Sequence, residues 1–225
     1  MTTTRLLARG VALAAVAATA LAMAAPAASA EPVPTFDFAD CPSIPAGANP
    51  AEWRCEVMMA TGTIRVGGIE QSLGPMRLTF AEGRLDGKYA QVFGALRTKK
   101  VPLGRGLLST RLSYAGYSDF QSNDQRMGDL HVKLDLVGSL LPEGCAIGSD
   151  ADPIKTAVKA TAKPEVVSEN PLVVRFPLVD NDFAVPRTHG CGLFGHLLNR
   201  RLGLPSPSGE NSLSMTTYVS MKGYA

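Results

Sequence analysis

From Asp129 to Val137 the chain alternates apolar and polar side chains without a break. Leu130, Val132, Leu134 and Leu136 point one way, and Asp129, His131, Lys133 and Asp135 the other. A period of two is the signature of a strand with one dry and one wet face. The same pattern recurs at Met76, Leu78 and Phe80, at Ile154, Thr156, Val158 and Ala160, and at Leu213, Met215, Thr217, Val219 and Met221. Residues 57–66, 88–96, 107–117 and 172–176 are further strand candidates. Gly67-Gly68, Gly74-Pro75, Asp86-Gly87 and Glu169-Asn170-Pro171 punctuate these runs, and Asp-Gly between two apolar-patterned runs is a hairpin signal. About eight short strands without alternating helices predict an all-β fold, an antiparallel β-sandwich or barrel-like sheets. One segment departs from the pattern. From Gly192 to Leu202 the residues Leu193, Leu197 and Leu198 suggest a short amphipathic helix, stopped by Gly203 and followed by Pro205.

The first 30 residues read as a cleavable signal peptide. Arg5 and Arg9 precede an apolar or small-residue run from Val11 to Ala25, and Ala28-Ser29-Ala30 supplies small residues at the cleavage positions. The run holds 15 residues before Pro26, short of the roughly 20 that cross a bilayer. The expected mature chain therefore starts at Glu31, carries a flexible Pro-containing leader over residues 31–40, and forms a single β-rich domain over 41–225. Its localisation is expected to be secreted, with cell-wall association open, and without a transmembrane segment. Losing the two arginines leaves 20 basic against 20 acidic residues, a net charge of zero. That balance offers no electrostatic footprint for nucleic acid.

All four cysteines fall in this exported part, where an even number reads as two disulfides with three possible connectivities. Cys41 and Cys55 flank a loop rich in Pro, Gly and Asn that folds back readily, which leaves Cys145 to pair with Cys191. No zinc-ligand spacing is present.

Candidate chemistry is sparse. Hydrolase elbow, zincin, phosphate-loop and dinucleotide motifs are all missing from the sequence. His189 lies two residues before Cys191, but an oxidised cysteine has no thiolate to attack with. His131 reads as a solvated residue of its strand, His196 as a helix surface residue, and Trp53 as packing against the 41–55 bridge. Asp150 and Asp152 in one loop, with Asp180 and Asp182 in another, would supply the oxygen ligands that Ca²⁺ prefers. The commoner use of such residues is to form turns through nearby backbone amides. No other cofactor is expected.

The segments GCAIGSDADPI (144–154), FPLVDNDFAVP (176–186) and GCGLFGHLLNRRLGLPSPSGENSL (190–213) resemble a recurring block in secreted proteins of high-GC Gram-positive bacteria. The resemblance implies export and a Cys145–Cys191 pair within one block, and it carries no assigned activity. The residues before it are similar to a looser sister type that begins Cys-Pro and continues to Trp-Arg-Cys. Taken together, these features suggest a non-catalytic binding or structural module with an envelope polysaccharide or a protein as partner. The alternatives are a secreted hydrolase with a dispersed active site and a Ca²⁺-stabilised extracellular module.

Overall fold

The computed structural model describes residues 32–103, 108–123 and 126–225; the expected signal peptide lies outside them. Twelve strands follow in chain order: β1 (Arg54–Val66), β2 (Ile69–Leu85), β3 (Lys88–Arg97), β4 (Val101–Pro102), β5 (Ser109–Asp119), β6 (Gly128–Val137), β7 (Ala146–Ile147), β8 (Ile154–Ala160), β9 (Glu165–Glu169), β10 (Leu172–Asp180), β11 (Thr188–His189) and β12 (Ser212–Gly223). The only α-helix among the described residues, α1 (Gly195–Leu202), follows a single 3₁₀ turn at Gly192–Phe194. All strand pairings are antiparallel, as the alternation requires.

Eight of the strands run round a curled sheet in the order β3, β2, β1, β12, β10, β8, β6, β5. The short β4, β7, β9 and β11 attach to its margins. The two ends of this path, β3 and β5, meet without a backbone ladder. Gln91 spans the seam, donating to the Ser118 carbonyl (2.5 Å) and accepting from the Phe120 amide (2.9 Å). Thr98 donates to the Leu112 carbonyl, and the rings of Phe93 and Tyr114 stack at 3.8 Å. Side chains thus close a barrel that backbone hydrogen bonds leave open.

Local chemistry explains the joints. Asp86 and Gly87 both take positive φ (52° and 75°), the geometry of a two-residue hairpin turn. Gly74-Pro75, expected to break the chain, instead lies inside β2. The register against β1 slips there between Ala60 and Gly62, so the proline occupies a bulge where no ladder donor is needed. The helix ends at Gly203 in the left-handed region (φ 66°), as its stop signal implies.

One end of the barrel is filled. Leu134, Ile147, Ile154 and Leu213 meet Leu198 and Leu202 of α1, beside the Cys145–Cys191 bridge. The buried stripe of the helix is Leu198 and Leu202, four apart, whereas Leu193 (99% exposed) and Leu197 face outward. The expected stripe was misplaced because Leu193 belongs to the 3₁₀ turn and α1 starts only at Gly195.

A strap over residues 37–53 crosses the outside of β1, β2 and β3. The Cys41–Cys55 bridge anchors it, Arg77 pairs with both Asp37 and Asp40, and Arg97 holds Asp40 at 2.8 Å. Tyr224 donates to the Pro42 carbonyl (2.6 Å). Two glycines admit the strap: a Cβ on Gly94 would stand 2.5 Å from the Asp40 carbonyl, and one on Gly83 2.5 Å from the Trp53 ring. Trp53 itself is buried and donates to the Arg84 carbonyl at 2.9 Å. Val57, Thr79 and Ala81 are fully buried on this outer face as a result.

Candidate ligand-binding cavity

Inside the barrel, above the plug that α1 forms, the side chains leave a cavity of about 260 Å³. An eight-stranded barrel is just wide enough to be filled by side chains or to hold one small ligand. Here the inward side chains leave part of the interior unfilled. Leu130 and Val132 of β6, Val158 of β8, Phe176 of β10 and Val219 of β12 line the walls. Met58, Met76, Met127, Met215 and Met221 line them too, and these unbranched thioethers adapt their shape to what they touch. The volume lies close to the lower end of small-molecule sites, about 300 Å³.

Besides Ser122 and Thr156, two polar features stand out in this lining. The first is Thr217, whose side chain is fully buried and whose hydroxyl has no hydrogen-bond partner. Leaving such a group dry costs about 1–3 kcal/mol. The Thr156 hydroxyl of β8, by contrast, donates to the Leu130 carbonyl at 2.8 Å.

The second feature lies at the mouth, where Arg54 and Glu56 of β1 face Glu82 of β2. Arg54 bonds Glu56 through Nε (2.7 Å) and Glu82 through its terminal nitrogen, so one guanidinium serves two carboxylates. The Glu56 and Glu82 side chains are only 12% and 14% exposed. Tyr89 of β3 donates to the other oxygen of Glu82 at 3.0 Å. Burial, reinforced by the negative charge of Glu82, pushes the Glu56 carboxyl up to about 7. Burial and then Glu82 push the Tyr89 phenol upward as well. Along the rim, Phe120 tilts against Phe80 with ring centroids 4.4 Å apart, and Arg126 is shared by Asp119 and Asp129.

Neither Glu56 nor Glu82 stood out in the sequence. The outer face of β1 is as apolar as its inner face, because the strap covers it, so the run Val57-Met58-Met59-Ala60 shows no alternation to mark what points inward.

The residues singled out beforehand fall elsewhere. Asp180 is buried and accepts from the amides of Ala157 (2.7 Å) and Asp182 (2.9 Å), which is turn chemistry. Asp150 pairs with Lys133 and Asp182 with Lys159, while Asp152 is exposed in a turn whose amide bonds the Ser149 hydroxyl. Among the described residues no group of three or more His, Cys, Asp or Glu side chains could hold a metal ion. His131 packs against the Tyr117 ring at 4.6 Å, and desolvation followed by Lys155 lowers its pKa. His189 and His196 are exposed. Both cysteine pairs form as expected, 41 with 55 and 145 with 191. Among the described residues no helix is long and apolar enough to cross a membrane.

No protein-family model, no curated protein and no solved structure matches this chain.

Proposed function

We propose that this chain is an exported, non-catalytic carrier that holds one small apolar or amphiphilic molecule inside its barrel. The observation that carries the reading is the apolar cavity with its polar mouth. A core serving stability alone would be packed to crystal-like density, because each void forfeits dispersion contacts. The leader-like first 30 residues, the two disulfides and the resemblance to secreted proteins of high-GC Gram-positive bacteria support export. Their absence of an assigned activity leaves the ligand to be read from the cavity.

The test is titration of the mature chain with N-phenyl-1-naphthylamine, an uncharged dye that fluoresces in apolar surroundings. Saturable binding near one dye per chain, displaced by dodecanol, is the expected result. Met58→Trp fills the cavity from the β1 side and should abolish the signal while far-ultraviolet circular dichroism stays unchanged. Dye binding that never saturates, or that survives in a folded Met58→Trp variant, would overturn the reading.

A further inference from the structure

We propose that the molecule held in this barrel is an amphiphile with a cationic head, its ammonium group seated against Glu56 and Glu82 and its apolar chain running inward. The inference deepens the carrier reading and rests on it. The argument is one of charge count at a partly buried site. Two carboxylates share one guanidinium at the mouth, and both oxygens of Glu82, with Nε and one terminal nitrogen of Arg54, are already engaged. Arg126, in the segment after Phe120, is likewise engaged by Asp119 and Asp129. A carboxylate or phosphate head entering here would add a third negative charge beside two that already share one guanidinium. A protonated amine supplies what the cluster lacks, a second cation with several donors. It would replace the proton that burial and Glu82 otherwise hold on Glu56.

A second polar group, independent of the carboxylates, lies along the same wall. Thr217 of β12 is among the residues around the cavity, and its hydroxyl is buried without a hydrogen-bond partner. Thr217 lies opposite Ala60, and Met221 opposite Glu56, so the hydroxyl sits four strand positions below the mouth. That is about 13 Å along the barrel wall, within reach of a dodecyl-length molecule.

The experiment compares three dodecyl compounds below their aggregation limits at pH 8, each displacing N-phenyl-1-naphthylamine from the mature chain. Dodecylamine is expected to bind at least about tenfold more tightly than dodecanol, and dodecanoate more weakly than either. Glu82→Gln should bring the amine to near parity with dodecanol and leave dodecanol itself unchanged, which separates loss of charge recognition from loss of fold. Equal or tighter binding of dodecanoate, or an amine preference that survives in Glu82→Gln and in Glu56→Gln, would overturn this inference and leave the carrier reading standing. If the dye itself shows no saturable binding, the carrier reading falls and this one with it.

Discussion

Replacing Glu56 by glutamine removes a carboxyl whose folded surroundings favour its protonated form, and the effect on stability has a definite sign. Burial first, and Glu82 second, raise this acid from its ordinary 4.5 to about 7, with Arg54 pulling the other way. Below pH 4.5 the folded and unfolded chains both hold the proton and no penalty arises. Above pH 7 both have lost it, and the folded state carries a charge that the unfolded chain would keep in water. Between these limits the folded state binds more protons, so stability falls as pH rises. At about 1.36 kcal/mol per pH unit the gap is worth about 3 kcal/mol in full, most of it developing between pH 5 and pH 8. Glutamine does not titrate, and it forfeits a charge-assisted bond to Arg54 worth about 1 kcal/mol on this partly exposed partner. Glu56→Gln should therefore be within about 1 kcal/mol of wild type at pH 5 and about 2 kcal/mol more stable at pH 8. Urea unfolding followed by the fluorescence of Trp53, the single tryptophan, measures both. A variant destabilised equally at the two pH values would refute the reasoning, because Glu56 would then be ionised and satisfied where it stands.

Two further outcomes are expected. Cys145→Ser with Cys191→Ser opens a loop of 46 residues and should cost 2–5 kcal/mol, about 1 kcal/mol more by chain entropy than opening the 14-residue loop with Cys41→Ser and Cys55→Ser; urea midpoints of the two double variants decide the order, and the reverse order would make the strap the larger structural element. Gly94→Ala drives a methyl to 2.5 Å from the Asp40 carbonyl and should cost about 1–3 kcal/mol by lifting the strap; an unchanged urea midpoint would show that the strap does not press on Gly94.

What the sequence made legible follows from how sharply each face is divided between water and interior. On β6 and β12 the polar face meets solvent or hydrogen-bonding neighbours, so Leu130 to Leu136 and Leu213 to Met221 name their inward residues without ambiguity. The Asp86-Gly87 turn was equally plain, because few residue pairs accept two positive φ angles in succession. Both disulfides were readable from loop composition and elimination. The cavity mouth was not, and the reason is physical. Glu56 and Glu82 come together only when β1 and β2 pair in one particular register, 26 residues apart in the chain, with a bulge at Gly74-Pro75 further along the same ladder. The closing seam was hidden too, since it depends on Gln91 and on a ring pair between strands that never share a ladder. The acidic loops drew attention because Asp and Asn serve turns and cations alike, and Asp180 shows which use prevailed.

The pairing of β1 with β12 joins Arg54 to Gly223, nearly the full length of the described chain. Most of the other long ladders join strands that follow closely in sequence, so hairpins such as β1–β2 and β5–β6 are low in contact order and quick to form. The ring cannot shut until the last dozen residues are available. Until then β1 and β10 present bare edges, and the methionines and leucines of the interior stand open to other chains. A chain cut before Ser212 would therefore not make a smaller barrel but an unrolled sheet prone to self-association. The final strand is in this sense a built-in clock for assembly: its late arrival sets the interval during which the two edges stay open.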